Sequence, residues 1–386
     1  MPSLNPLLLD SGSPPIPRVQ AWGRAYSGAR GPLLNLCQAA PAYPPPPAML
    51  EKLAEAAGSP AAATYGVIAG DEALREAYAA EVSALYGGPC AAGQVAITAG
   101  CNMAFFVAAM AIAGRGDAVI VPTPWYFNHG MTLGMLGIEA RALPCGAERG
   151  FIPEIGTAEA LLDERVRAIL LVTPNNPTGA IYPPELIAEF QALCRRRGIW
   201  LILDETYRDF LPAERARPHG LVEGGWPDNL VQLYSFSKSF AIPGHRLGAI
   251  AGPPAIMPAV TQVLDNVQIC PARAGQMAVA WGLGALGDWR AEKRARTNER
   301  VEAVRAAFGR LPAWRLDALG TYFAYVRHPF GAEAAWSVAE RLALEHGMMV
   351  LPGPAFAGAD THLRIAFANL DISAIGALED RLAGAA

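Results

Sequence analysis

Six short, β-rich apolar runs constrain this chain more than any other feature. They are "VAIT" from Val95, "AVIV" from Ala118, "AILLV" from Ala168, "WLILD" from Trp200, "LVQLYS" from Leu230 and "LGAIA" from Leu247, and each ends at a polar or glycine-bearing turn. Runs this short and apolar suit strands buried on both faces. Helical patterns separate them. The clearest is "DEALREAYAAEVSALYGG", with Leu74, Ala77, Tyr78, Val82 and Leu85 on one face, Asp71 able to cap the start and Gly87 the end. The alternation predicts an α/β fold whose large domain holds a mostly parallel sheet flanked by helices.

At 386 residues, the chain suits two or three domains of about 150 residues or one large α/β unit. Residues 1–47 carry many prolines, ending in "PAYPPPP", and are expected to form an extended arm lying over other structure. Residues 48–287 are assigned to the large domain, and residues 288–386, with the arm, to a smaller α+β domain. That last part opens on a charged amphipathic helix from Asp288, with Val301, Val304 and Phe308 on one side. The strands "TYFAYV" and "LRIAFA" follow, with the helix "AAWSVAERLALEHG" between them.

Apolar residues make up 52% of the chain and charged residues 17%, so much surface must be covered, with a homo-oligomer as the default expectation. A net charge of -4 offers no broad positive field for nucleic acid. The run Arg195 to Arg197 reads as a helix end, since Gly198 follows. No run approaches the roughly 18 apolar residues of a membrane span. "LLL" at Leu7 to Leu9 is too short for a secretory leader, and the six cysteines form no C-x-x-C pair. The expectation is a cytoplasmic protein with no metal site, no membrane and no nucleic acid. "GLGALG" from Gly282 matches a dinucleotide pattern but follows "GQMAVAW" instead of a strand, and reads as small residues on a packed helix.

The chain has 28 arginines and only three lysines, Lys52, Lys238 and Lys293. Lys238 lies in "YSFSKSFAIPGHRLGAI", just past a strand. An amine can lose its proton when desolvated and attack a carbonyl, which a guanidinium cannot, so a Schiff-base role follows. Ser235, Ser237 and Arg246, with backbone N–H groups from the turn at Gly100, suit a phosphate. Asp204, at the end of "WLILD", can pair with a pyridine nitrogen. Together these point to pyridoxal 5'-phosphate.

Across almost the whole chain, these segments resemble the fold-type I, class I/II pyridoxal-phosphate aminotransferases of the aspartate aminotransferase superfamily. "SFSKSFAIPGHRLG" resembles the family's lysine segment, implying Lys238 as the Schiff-base lysine with Ser235 and Arg246 on the phosphate. "NNPTG" implies Asn176 on the cofactor's phenolic oxygen, and "DETY" implies Asp204 on the ring nitrogen and Tyr207 on the phenolic oxygen. "TAGCNMAF" implies a phosphate cradle from the backbone of Ala99, Gly100 and Cys101, with little side-chain bonding from Cys101. "PTPWYFNH" implies a stacked ring, and spacing from Pro124 selects Tyr126 over Trp125. "TYGVIAGDEALREA" implies that Tyr65 reaches a neighbouring subunit's phosphate in a homodimer, and "LRIAFAN" that Arg364 grips a substrate α-carboxylate.

In "QAAP", Ala39 stands where the family usually has glycine, and narrows the space beside cofactor and substrate. No second arginine carries a family motif for a distal carboxylate; Arg18, Arg24 and Arg273 remain open for that role. The implied reaction is ping-pong transfer of an amino group from an α-amino acid to a 2-oxo acid. A lyase or decarboxylase on the same scaffold is the alternative, since the bond that breaks depends on its angle to the ring. A cofactor-sensing regulatory module is opposed by the acidic balance and the lack of room for a helix-turn-helix before Glu51.

Overall fold

The computed structural model describes residues 2–215 and 217–386. Its main sheet has seven strands: β1 (Val95–Thr98), β2 (Ala118–Thr123), β3 (Glu139–Pro144), β4 (Val166–Val172), β5 (Trp200–Asp204), β6 (Leu230–Ser235) and β7 (Gly248–Ala251). Their order is β1-β7-β6-β5-β4-β2-β3, and only β7 runs against the rest. Alternate residues of each strand enter two different apolar layers. Ile169, Leu171, Leu201 and Leu203 pack with Tyr78 and Phe190 on one face, while Ala168, Leu170, Ile202 and Val231 pack with Phe105 and Leu133 on the other. Burial on both faces is why these strands read as continuous apolar runs.

The helices that matter for the site are α1 (Pro6–Asp10), α2 (Pro15–Ala25), α3 (Glu72–Tyr86), α4 (Cys101–Ile112), α5 (Phe127–Leu136), α6 (Pro184–Arg197), α7 (Arg273–Ala285), α8 (Gly287–Gly309) and α9 (Ala335–His346). Gly87 and Gly198, at φ 72 and 66, end α3 and α6 in left-handed caps. Asp71 makes no capping bond at the start of α3; its carboxylate pairs with Arg273 at 3.0 Å, a stronger, charge-assisted contact. The dinucleotide-like glycines fall in and just after α7, where Gly282 lies against Met49 and Phe240.

A second, four-stranded antiparallel sheet has the order β10-β11-β9-β8, from β8 (Arg315–Gly320), β9 (Phe323–Arg327), β10 (Leu351–Pro352) and β11 (His362–Ala366). Its own core joins Val304 and Phe308 of α8 with Val338 and Leu342 of α9 and Leu363 and Ile365 of β11. The N-terminal segment differs from the extended arm expected, because Pro15 occupies the first turn of α2, where its fixed φ favours a helix. α2 then packs on α9, with Trp22 edge-on to Trp336 at 6.1 Å. Among the described residues, no helix is long and apolar enough to cross a membrane.

Candidate active site

In an open, mostly parallel sheet, ligands gather outside the carboxyl ends of the strands. Here that edge opens onto a cavity of about 500 Å3, lined by Ala39, Cys101, Tyr126, Asn176, Asp204, Tyr207, Ser235, Ser237, Lys238, Arg246 and Arg364. Tyr65, 82% exposed, does not line it, and neither do Arg18, Arg24 and Arg273. Trp125 lies over Gly130 instead of facing this space, so the ring that borders it is Tyr126.

Lys238 follows β6 in a single helical turn, Phe236–Ser239, and its Nζ donates to the Ala39 carbonyl at 2.6 Å. Burial, reinforced by the nearby charges of Arg246 and Arg364, lowers its pKa from 10.5 to about 8. Near neutral pH this ammonium can therefore surrender a proton far more readily than a surface lysine.

Asp204 terminates β5. Burial alone would raise its pKa, yet the carboxyl stays below the ordinary aspartate range. The opposing groups are His129, with Nε2 3.2 Å from Oδ2, and Thr206, whose hydroxyl and N–H donate to Oδ1 at 2.7 and 3.0 Å. Neither His129 nor Thr206 was singled out from sequence, although Thr206 lies inside "DETY". The Cys101 thiol also approaches Oδ1 at 3.7 Å, a side-chain contact beyond the backbone role expected of it. Burial, then the charge on Asp204, pushes this thiol's pKa well up, so it stays protonated.

The far end of the cavity suits an anion. Gly100, at φ 86, turns the chain from β1 into α4, and a side chain there would collide with the Arg246 guanidinium. Arg246 has a left-handed backbone (φ 50) and makes no ion pair among the described residues. Among the described residues, the buried Ser237 hydroxyl has no partner. Of the three backbone groups expected in the cradle, Ala99 N–H donates to Gln268 at 2.8 Å and Gly100 N–H to Thr98 at 2.7 Å. The free donors of a helix N-terminus therefore begin at Cys101.

Arg364 is buried on β11. One of its terminal nitrogens donates to Asn176 Oδ1 at 2.9 Å and the other to the Cys37 carbonyl, while its Nε has no partner. Burial lowers its pKa to about 10, leaving it cationic at neutral pH. Asn175 closes the turn that presents Asn176, accepting from the Thr178 N–H and hydroxyl at 3.1 and 2.8 Å. The same turn ends at Gly179 (φ 80), where a Cβ would meet the Gly320 nitrogen at 2.5 Å. The loop after β4 and the β8–β9 hairpin thus touch backbone to backbone. Burial pushes the Tyr207 phenol far above its usual pKa and raises that of Tyr126.

The family model "Aminotransferase class I and II" matches residues 31–382, nearly the full length. The chain belongs to this family. As a class I/II aminotransferase it is an enzyme that transfers amino groups with pyridoxal phosphate. It is 29% identical over 344 residues to an aromatic aminotransferase of Arabidopsis thaliana, covering 87% of this chain and 85% of that one. A valine–pyruvate aminotransferase of Mycobacterium tuberculosis is 32% identical over 283 residues, covering 70% and 69%. A double mutant of Thermus thermophilus aspartate aminotransferase superposes over 100% of both chains with a TM-score of 0.91 and 25% identity.

The aminotransferase cavity fits that cofactor on its own chemistry. A lysine of lowered pKa shares the cavity with a buried serine and an arginine that, among the described residues, have no hydrogen-bond partner and no ion pair respectively, and with a carboxylate held ionised. Aldehyde, phosphate and protonated ring nitrogen each have a matching group.

Proposed function

We propose that this cavity moves an amino group from an α-amino acid to a 2-oxo acid in a ping-pong cycle carried by Lys238. The observation that supports this most directly is the Lys238 amine, set in the cavity with its pKa lowered to about 8. That value suits a group that must release and regain a proton near neutral pH. Bound there, pyridoxal phosphate supplies an electron sink for the substrate's Cα.

Lys238 would hold the cofactor's aldehyde carbon and, as a free amine, would take the proton from the substrate's Cα. Ser235, Ser237, Arg246 and the Cys101 N–H would hold the phosphate. Asp204 would keep the ring nitrogen protonated, Asn176 and Tyr207 would hold the phenolic oxygen, and Tyr126 would lie against the ring. Arg364 takes the substrate α-carboxylate through a two-point bond, with Asn176 and the Cys37 carbonyl fixing the fork beforehand. Ala39 borders both cofactor and substrate.

The reading extends to a homodimer in which Tyr65 crosses to the second copy's phosphate; exposed Tyr65, Val67, Val267 and Ile269 favour a covered face. Free cysteines throughout the described residues suit a cytoplasmic setting. The proposed division is 48–287 as the cofactor-binding domain, with 1–47 and 288–386 forming the small one. Mixing the cofactor-loaded enzyme with one amino acid at a time tests the reaction. The amine form of the cofactor should accumulate with 2-oxo acid as the product. Steady release of ammonia or carbon dioxide instead would refute transfer in favour of a lyase or decarboxylase.

A further inference from the structure

One wall of the cavity has no part in the roles above. Ile16 of α2 and Phe127 at the start of α5 form it beside Tyr126. All three pack on the apolar cluster of Val19, Met349, Leu351 and Phe356. The Phe356 ring lies 4.8 Å from the Arg364 guanidinium and 5.7 Å from the Phe127 ring. A molecule whose carboxylate pairs with Arg364 therefore extends beside hydrocarbon.

Charge in the cavity is already allocated. Its cations are Lys238, Arg246 and Arg364, and its carboxylate is Asp204, while Gln38 and Asn102 add only neutral amides. Arg18, on the same helix as Ile16, lies over Trp22 and Trp336 at 5.2 and 4.3 Å. Arg24 is exposed and does not line the cavity, and Arg273 is engaged by Asp71 at 3.0 Å. Among the described residues of this chain, a second carboxylate on the substrate would lose water without gaining a cationic partner in the cavity, whereas a hydrocarbon side chain gains from leaving water.

We infer that the amino donor carries an uncharged, apolar side chain, aliphatic or aromatic, and that Ile16 is a specificity-determining residue for it. The inference rests on the amino-transfer reading for its chemistry but not for its binding. The test uses the cofactor-loaded enzyme and unreactive acids. By calorimetry, 4-methylpentanoate and 3-phenylpropanoate should bind more tightly than succinate and glutarate, by on the order of ten-fold or more. Single half-reactions should then run faster with leucine, methionine or phenylalanine than with aspartate or glutamate. In Ile16→Ala, the advantage of leucine over alanine should shrink by about ten-fold.

Tighter binding of succinate or glutarate, or aspartate as the fastest donor, overturns the inference. An Ile16→Ala enzyme that keeps the full leucine advantage removes the role given to Ile16. If no amino acid converts the cofactor while the hydrocarbon acids still bind preferentially, the amino-transfer reading falls and the apolar subsite stands.

Discussion

Replacing Lys238 by methionine keeps most of the length of the side chain and removes its charge, and in the cofactor-free protein this should stabilise the fold. The folded-state pKa of about 8 lies below the ordinary 10.5, so the unfolded chain binds this proton more tightly. Wild-type stability attributable to Lys238 therefore rises as pH climbs from 8 to 10.5 and is lowest below 8, where both states are protonated. The burden at pH 7 is about 3 kcal/mol, an upper bound because water reaches the cavity. Lys238→Met should be more stable than wild type by up to that amount at pH 7. The gap should close as pH approaches 10.5. Urea unfolding of both cofactor-stripped proteins from pH 7 to 10.5 measures it, and the difference between them cancels other groups that titrate there. Equal stability at pH 7, or a gap independent of pH, would refute the claim that a desolvated ammonium resides at this position.

Arg364→Leu should lower kcat/KM for amino acids by about a hundred-fold, the loss expected for a charged two-point hydrogen bond, while amines lacking a carboxylate are spared. Steady-state rates with an amino acid and its decarboxylated amine separate the two. Thr206→Val removes the hydroxyl donor at 2.7 Å from Asp204. It should weaken cofactor affinity by about ten-fold, read by equilibrium titration of the cofactor-free protein. Gly179→Ala combines a φ of 80° with a backbone collision at 2.5 Å. It should cost about 3 kcal/mol or more, seen as a lower melting temperature and loss of soluble protein.

The sheet was readable because its strands are buried on both faces, so apolar runs such as "AILLV" and "WLILD" needed no partner to be recognised. The placement of Lys238, Asp204, Asn176 and Tyr207 in the cavity was readable because each sits at or just past a strand end, and that of Arg246 because it lies just before β7, all in segments whose residue types are chemically unusual. The supporting groups were not. His129 reaches Asp204 only because α5 is laid across the sheet, and nothing in "YFNHGM" marks that histidine as a partner to a distant carboxylate. Ile16 was hidden for a related reason. Proline content suggested an extended arm, whereas Pro15 starts a helix that brings the isoleucine to the cavity. The Ala99 and Gly100 N–H groups illustrate a third limit. A glycine-bearing turn predicts donors, but only the folded chain decides which are already spent on Gln268 and Thr98.

The backbone contact between Gly179 and Gly320 has a consequence for how such a scaffold diversifies. It aligns the turn that carries Asn176 with the sheet that carries Arg364 using no side chain at all. The proposed grip of Arg364 on the part common to every amino acid is thereby insulated from residue changes on α2 and α5, which border the proposed apolar subsite. On these proposed roles, side-chain preference can drift through positions such as Ile16 while Arg364 and Asn176 keep their alignment. Loss of either glycine would disturb every substrate alike.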